Sequence, residues 1–208
     1  MPQELKAEDI NSKTDPSVAK QWDDSSSTET KFNDLYAITD KLKVCLLGTY
    51  RKGIGPVSRS MAVGKRVGPD FLFLANKHSQ KFSDLEANQE TQITFQNSSS
   101  QDWVSISGTA TAADNSDPRI KELYNPGVSA WFGDLGDGKH DGTPNDPRMA
   151  LIEIKAKYIS YWKAQVGFLG YAKEVAQAAI TGKVADVGVQ RHMMEDEIEQ
   201  ERSRSRNS

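Results

Sequence analysis

Apolar and polar residues alternate in several short stretches of this chain, and this period of two predicts β-strands. The connections between neighbouring stretches are short and rich in Gly, Pro, Ser or Asp, which favours antiparallel hairpins over crossover connections. The predicted strands are at residues 44–49, 55–64, 71–76, 92–97, 103–113, 149–156 and 158–164. Since strands outnumber helices and hairpins dominate, the pattern predicts a mainly β fold, an antiparallel β-barrel with peripheral helices.

Helical spacing of apolar residues is confined to four segments, which we expect to lie around the barrel. They cover residues 31–42, 78–89, 117–124 and 172–180. In the second segment Ser79 is positioned to cap a helix, and Phe82 and Leu85 form an apolar pair three residues apart.

The two ends of the chain differ from its centre in composition. Residues 1–31 are polar and include the run DDSSSTET, so we expect a flexible arm with at most a short helical turn. Residues 32–182 are expected to form the barrel domain. Residues 183–208 contain an acidic run followed by a Ser-Arg repeat, and this composition predicts a disordered polar tail.

Composition and charge exclude several classes of function. The formal net charge is −3 and the isoelectric point is about 5.7, whereas nucleic-acid binding needs a basic surface. The single cysteine, Cys45, excludes an intrachain disulfide, and no apolar run is long enough to cross a bilayer. Because the N-terminus also lacks the layout of a signal peptide, we expect a cytosolic protein without nucleic-acid or membrane partners.

Four aspartates lie in the segment GDLGDGKHDGTPNDPR at residues 133–148, which is too rich in Gly, Asp and Pro to form a regular element. Their spacing does not match the alternating oxygen ligands of an EF-hand loop, which has a glycine at its sixth position. We therefore expect a solvated loop and no metal site from Asp134, Asp137, Asp141 and Asp146.

The predicted strand GPVSRSMAVG carries one residue that does not fit its pattern. Alternation places Arg59 on the same face as Val57 and Met61. A guanidinium group remains charged, so on a half-buried face it needs an anion or several acceptors. That anion is either part of a bound ligand or a carboxylate of the chain, such as Asp84 or Glu86.

A phosphate site is indicated by the segment FLANKHSQKF, where a strand runs directly into a helix. The free N–H groups and the positive dipole end of that helix would lie beside Ser79 and Lys81. The turn KRVGPD predicts a hairpin that sets residues 57–63 opposite residues 71–77, which would bring Arg59 to the same pocket.

Several motifs occur in an order that resembles the pyridoxamine 5′-phosphate oxidase-like flavoproteins, whose fold is the FMN-binding split barrel. They are Arg-Ser-Met at 59–61, FLFLAN at 71–76, HSQKF at 78–82 and WVSISGTA at 103–110. The tract AWFGDLGDG at 130–138 is similar to one in the general stress protein branch and its fungal blue-light-inducible relatives. The resemblance covers about residues 33–165 and depends on the order of the motifs, since no single motif is specific.

The resemblance implies a homodimer that binds FMN at the subunit interface. It implies that residues 59–61 line the flavin and that Ser79 and Lys81 bind its phosphate. Trp103 stands where the oxidases often have a glutamine that touches the flavin, and Trp162 lies in the strand that contacts the cofactor of the partner. The implied FMN-binding residues are Arg59, Ser60, Met61, Leu74, Ala75, Asn76, Ser79, Lys81, Trp103 and Trp162.

The function that the resemblance implies is that of an FMN-dependent oxidoreductase linked to stress response, with an unknown substrate and no assigned catalytic residue. The alternative is a non-catalytic flavin carrier or stress sensor. Oxidation of pyridoxamine phosphate is disfavoured for two reasons. The oxidases have an Arg-Lys pair where this chain has Gln80-Lys81, and the arginine and histidine that bind substrate near the oxidase C-terminus have only a weak counterpart here in Arg191 and His192. A third alternative keeps the barrel but binds haem or a deazaflavin. Haem is disfavoured, since only His78 lies near the predicted pocket to serve as an axial ligand.

Overall fold

The computed structural model describes residues 10–206, with residues 12 and 24 excepted. The helices in this part of the chain are α1 (Pro16–Ala19), α2 (Thr28–Leu42), α3 (Gln80–Ala87), α4 (Arg119–Leu123), α5 (Pro126–Ser129), α6 (Phe168–Thr181) and α7 (Glu195–Arg206). None of these helices combines the length and the apolar composition needed to cross a membrane. The strands are β1 (Val44–Arg51), β2 (Gly55–Ala62), β3 (Lys65–Val67), β4 (Asp70–Asn76), β5 (Glu90–Gln96), β6 (Trp103–Ala113), β7 (Met149–Ala164) and β8 (Gly188–Met193).

All eight described strands belong to one antiparallel sheet, in the order β2-β1-β5-β6-β7-β4-β3, with β8 also paired to β7. The length of β7 allows this branch, because its first half pairs with β4 and its second half with β8, while β6 follows its other edge. Among the described strands no pairing joins β2 to β3, so the sheet is not closed. The prediction of a mainly β, antiparallel fold with peripheral helices is confirmed.

Alternation along the strands turns one face of the sheet into the core. In β1, Cys45 and Leu47 are buried, whereas Val44, Leu46 and Tyr50 are about half exposed on the opposite face. The apolar stripe of α2 packs into the same buried cluster. Each large apolar side chain buried in this way stabilises the fold by about 1.5–3 kcal/mol.

Strand β4 is buried on both faces, which explains its uninterrupted apolar sequence FLFLA. One face joins the main core, and the other, with Leu72, packs against Ile120 and Leu123 of α4. Phe132 also packs against this second cluster. The cluster therefore holds the segment that contains α4 and α5 beside β4.

The predicted hairpin between residues 57–63 and 71–77 is wrong. Strand β2 pairs with β1 instead, and the segment KRV forms the separate strand β3, which pairs with β4. The turn is shorter than the predicted turn of residues 65–70, because residues 65–67 belong to β3, and it includes Gly68, whose φ of +56° favours glycine. A three-residue strand is too short for its alternation to be recognised from sequence, so the sequence pattern assigns residues 65–67 to the turn.

The polar tail predicted for residues 183–208 is ordered over much of its described part. It contains β8, and the charge-rich segment EDEIEQERSRSR forms α7. Arg202 of α7 is buried and donates to the Asp70 carboxylate, with Nε–Oδ2 at 2.6 Å and Nη2–Oδ1 at 2.8 Å. The overall polar composition of the segment does not indicate this helix. One inward face, with the buried Ile198 and the paired Arg202, is enough to pack it against the barrel. Residues 207 and 208 of the predicted tail lie outside the described residues.

Helix α2 begins within the predicted arm of residues 1–31. Its first residue is Thr28, and the hydroxyl of Ser27 accepts the N–H of Thr30 as an N-cap. The short helical turn expected in the arm corresponds to α1. Residues 1–9 of the arm lie outside the described residues.

The aspartate-rich loop of residues 133–148 has no regular element, as predicted. Asp146, however, is buried and accepts hydrogen bonds from the guanidinium group of Arg148. Arg148 also donates to the carbonyl oxygens of Phe132 and Gly133, so this ion pair ties the two ends of the loop together. Among the described residues, no three His, Cys, Asp or Glu side chains are grouped to hold a metal ion.

Candidate functional site

A cavity of about 740 Å³ opens where the ends of β2 and β4 meet the segment that carries α4 and α5. Its volume lies within the range of small-molecule sites. One wall comes from residues 60–64, a second from residues 74–76 and a third from within residues 123–132. Val44 of β1 and, at the start of α3, Ser79 and Lys81 complete the lining.

Seven of the ten implied FMN-binding residues line this one cavity. Strands β2 and β4 are not paired. They lie close together because the N–H of Gly64, just after β2, donates to the carbonyl oxygen of Leu72 in β4 at 2.8 Å. A Cβ at Gly64 would lie 3.0 Å from the same oxygen, so a larger residue would push the strands apart. The seven residues are Ser60, Met61, Leu74, Ala75, Asn76, Ser79 and Lys81.

The start of α3 builds the polar end of the cavity. Ser79 Oγ donates to the carbonyl oxygen of Asn76 at 2.6 Å and accepts from Nζ of Lys81 at 2.6 Å. Ser79 is the N-cap residue, as predicted, but its side chain makes no capping bond to the helix. Burial and the positive charge of Arg59 lower the pKa of Lys81. No carboxylate of the described residues pairs with this ammonium group, so an anionic ligand would stabilise it.

Arg59 does not line the cavity, because its side chain is bound to β1 and α3. Its Nη1 donates to Oγ1 of Thr49 at 2.7 Å and to the carbonyl oxygen of Leu47 at 3.1 Å. Its Nη2 donates to Oδ2 of Asp84 at 3.1 Å. Asp84, one of the two carboxylates considered, is therefore the anion that this inward-facing arginine requires. The implied contact of Arg59 with FMN stays a prediction.

One carboxylate serves two arginines at this place. Arg51 donates to Asp84 through Nε at 3.0 Å and through Nη2 at 3.1 Å. These hydrogen bonds hold the pKa of Asp84 below its ordinary value, so the carboxylate is charged at neutral pH. The cluster of Arg51, Arg59, Lys81 and Asp84 has three positive charges against one negative charge, a formal excess of two. The local field therefore favours an anion at the polar end of the cavity.

Trp103 and Trp162 lie away from this cavity. They are paired neighbours on β6 and β7, and they line a second cavity of about 480 Å³. Register places Trp103 on the sheet face of Leu46, because Leu46 pairs with Thr94, and Thr94 pairs with Ser105, two residues from Trp103. At a strand spacing of about 4.8 Å, β2 and β6 are about 14 Å apart across this face. Neither indole lines the first cavity of its own chain.

The sequence does not predict the wall formed by residues 123–132. The tract AWFGDLGDG at residues 130–138 is part of the family resemblance. Nothing in its local pattern indicates that it borders the ends of β2 and β4. One feature of the sequence could have indicated this wall. Trp131 lies in a glycine-rich loop, where neither a strand nor a helix is expected to bury its indole. The wall residues are Leu123, Asn125, Gly127, Val128, Trp131 and Phe132.

Comparison with known proteins finds relatives over most of the chain. A sequence profile of the family described as Pyridoxamine 5′-phosphate oxidase like matches residues 29–186. Protein bli-3 of Neurospora crassa is 37% identical over 196 residues, which are 93% of this chain and 93% of that protein.

Solved structures share the fold at lower identity. A protein assigned as general stress protein 26 from Jannaschia sp. has a TM-score of 0.62 at 18% identity, covering 80% of this chain and 99% of its own. General stress protein 26 from Bacillus anthracis has a TM-score of 0.53 at 21% identity, covering 63% and 92%. A pyridoxamine 5′-phosphate oxidase-related, FMN-binding protein from Nostoc punctiforme has a TM-score of 0.51 at 10% identity, covering 65% and 83%. These neighbours share the split-barrel fold, and the profile and protein bli-3 show that the chain belongs to the pyridoxamine 5′-phosphate oxidase-like family.

Proposed function

We propose that the first cavity binds FMN and that the protein is a flavin-dependent oxidoreductase. The observation that carries the proposal is Lys81, a partly buried ammonium group without a carboxylate partner among the described residues. It belongs to a cluster with two excess positive charges, and a phosphate monoester carries about two negative charges at neutral pH. Family membership and the FMN-binding neighbour from Nostoc support FMN over other phosphate-bearing ligands.

Each part of the cavity has a role in this proposal. Lys81, Ser79 and the start of α3 hold the phosphate through charge-assisted hydrogen bonds. Residues 60–61 and 74–76 flank the ring. Arg59 contributes its charge, together with an Nε–H and an Nη2–H that have no partner among the described residues. When bound, FMN supplies redox chemistry, while the chain supplies binding, orientation and electrostatics.

The proposal includes a homodimer. Val44, Leu46 and Tyr50 are each about half exposed on one face of β1, and their neighbours on β2 are uncharged. Such an apolar face favours packing against a second copy. In a two-fold contact across it, the partner subunit's Trp103 and Trp162 would approach the cavity of the first subunit. This arrangement would give both indoles the role that the family resemblance implies.

A second candidate function is that of a flavin carrier or sensor with little turnover. The observation that favours it is that Lys81 is the one titratable side chain among the described residues that line the cavity. A general acid or base would therefore have to come from the partner subunit or from the substrate itself. The link to stress response rests on the names of the relatives, and the cytosolic location stays a prediction.

FMN binding is tested by incubating the purified protein with FMN, desalting it and recording the absorbance spectrum, with dissociation constants from a fluorescence titration. A charge-assisted hydrogen bond contributes about 1.5–3 kcal/mol, so Lys81→Gln is expected to weaken FMN binding by about 10- to 100-fold. Lys77→Gln is the matched control, since Lys77 is exposed in the same segment and does not line the cavity. Riboflavin lacks the phosphate and should bind the parent and both variants equally. A colourless parent, or equal losses for FMN and riboflavin in Lys81→Gln, would contradict the assignment.

The two candidate functions are separated by mixing the FMN-loaded protein anaerobically with NADPH or NADH. Reduction of the flavin followed by turnover with an acceptor supports an oxidoreductase, whereas tight binding without reduction supports a carrier.

The dimer is tested by analytical ultracentrifugation. Leu46→Asp is expected to give monomers with weakened FMN binding, because the charge lies on the apolar face of β1. The matched control is Ile180→Asp, since Ile180 is an 86% exposed residue near the end of α6. A Leu46→Asp protein that remains dimeric would argue against this interface.

A further inference from the structure

The wall formed by residues 123–132 differs chemically from the polar end of the cavity. Every described residue of this wall that lines the cavity is uncharged. Trp131 is the largest of them, and 86% of its surface is exposed. An exposed indole at the edge of an apolar pocket is typical of a contact with a ligand or a partner.

The backbone around Trp131 is held firmly by hydrogen bonds. The N–H of Trp131 donates to the carbonyl oxygen of Val128 at 3.1 Å. On the other side, the buried Arg148 donates to the carbonyl oxygens of Phe132 at 2.9 Å and Gly133 at 2.7 Å. Because the backbone is already fixed, stacking of Trp131 on a ligand costs only the rotational freedom of its side chain, which favours binding.

Asn125 supplies a polar group on the same wall. Its Oδ1 accepts the N–H of Gly127 at 3.0 Å, a bond that caps α5. Because Oδ1 is the acceptor, the Nδ2 group is the hydrogen-bond donor of this side chain. No described residue accepts a hydrogen bond from Nδ2 of Asn125. The wall therefore combines an aromatic platform with one hydrogen-bond donor and no charge.

We propose that this wall binds an uncharged planar ring bearing a carbonyl oxygen, such as a quinone, which stacks on Trp131 and accepts a hydrogen bond from Asn125. The inference rests on the proposed function, because the ring is the substrate of a cavity whose polar end holds the phosphate of FMN. An ionic substrate is disfavoured, since no described residue of this wall carries a charge that would pair with it. The chemistry of the wall thus points to a substrate class that the family assignment leaves open.

Equilibrium dialysis of the FMN-loaded protein against menadione, an uncharged naphthoquinone, tests this proposal. Trp131→Ala is expected to weaken menadione binding by about three- to tenfold, the range of one aromatic stacking pair, and Trp131→Phe to retain most of it. Asn125→Asp keeps the oxygen that caps α5 but removes the amide donor. It is expected to weaken menadione binding severalfold while binding of naphthalene, which has no carbonyl group, stays unchanged.

The matched control is Leu135→Ala, because Leu135 is 64% exposed in the adjoining loop and does not line the cavity. Its affinity for menadione is expected to equal that of the parent. Covalent addition of Cys45 to the quinone does not interfere, because burial raises the pKa of this thiol to about 12. The FMN affinity and the sedimentation of each variant are measured in parallel.

Absence of saturable menadione binding, or equal binding by the parent and Trp131→Ala, would overturn the proposal. A Trp131→Ala protein that loses FMN affinity or dimerisation by the same factor would overturn it too, since Trp131 would then be a flavin or subunit contact. If the parent binds no FMN, the proposed function fails by itself. The same dialysis on the cofactor-free chain then decides the inference, because menadione binding must still depend on Trp131 and Asn125.

Discussion

The pairing of Arg59 with Asp84 leads to a prediction about stability. Asp84 is 3% exposed, and in Asp84→Asn two arginines lose the one carboxylate that they share. Removing one partner of a fully buried ion pair costs about 3–5 kcal/mol. The side chains of Arg51 and Arg59 remain 29% and 22% exposed, so water compensates part of the loss. We therefore expect Asp84→Asn to lower the free energy of unfolding by about 2–3 kcal/mol.

The assay is urea denaturation of the cofactor-free protein. With a slope of about 2 kcal/mol per molar urea, the midpoint is expected to fall by about 1–1.5 M. The variants Arg59→Met, Asp84→Asn and their combination form a double-mutant cycle, which isolates the interaction between the two side chains. We expect a coupling of at least about 1 kcal/mol.

The pH dependence gives a second test of the same ion pair. Hydrogen bonds from Arg51 lower the pKa of Asp84 in the folded protein below its ordinary value of 3.8. Its stabilising contribution is therefore present above about pH 4 and is lost as the pH falls through the folded-state pKa. The difference between the parent and Asp84→Asn should shrink over that range. A coupling near zero, or a loss below about 0.5 kcal/mol at neutral pH, would refute Asp84 as the anion of Arg59.

Three further predictions concern the parts of the fold that support the site. Arg202→Gln leaves the buried Asp70 carboxylate unpaired and is expected to lower the free energy of unfolding by about 3 kcal/mol in urea denaturation. Gly108→Ala places a Cβ against the carbonyl oxygen of Lys155 at the irregularity between β6 and β7, and is expected to cost at least about 2 kcal/mol or to give insoluble protein. Burial alone would raise the pKa of Asp146, but hydrogen bonds from the neighbouring arginine and the backbone lower it from 3.8 to about 2. Its contribution of about 2 kcal/mol is therefore present above pH 4 and lost as the pH falls toward 2, a loss that Asp146→Asn should not show in acid titration of the unfolding midpoint.

Each of these changes has a matched control. Arg206→Gln changes an exposed arginine of the same helix, Gly167→Ala adds a Cβ that meets no atom within 4 Å, and Asp134→Asn changes an exposed carboxylate of the same loop. We expect all three controls to stay within about 0.5 kcal/mol of the parent. The first prediction is contradicted if Arg202→Gln is as stable as its control, and the second if Gly108→Ala folds normally. The third is contradicted if the parent and Asp146→Asn give identical acid titrations.

Local sequence determined most of the strands, their antiparallel character and the inward position of Arg59. It missed β3 and β8, and it divided the long strand β7 into two strands, at residues 149–156 and 158–164. Alternation over five to ten residues is enough to assign a buried face, because successive side chains of a strand point to opposite sides. The order of short motifs also identified the family, and it named seven residues that line one cavity. These properties depend on residues close together in the chain, so the sequence alone was sufficient for them.

Only the tertiary structure decided which charges meet and which surfaces face the cavity. Arg59 meets Asp84 across 25 positions of sequence, and Arg202 meets Asp70 across 132 positions. Trp131 joins a wall beside β2 and β4, while Trp103 lies three strands away from β2. An ion pair or a cavity wall depends on distances through space, and the sheet order that sets those distances is not encoded in any one segment. For this reason the sequence predicted that Arg59 needs an anion, and the fold determined that Asp84 is its partner in the chain.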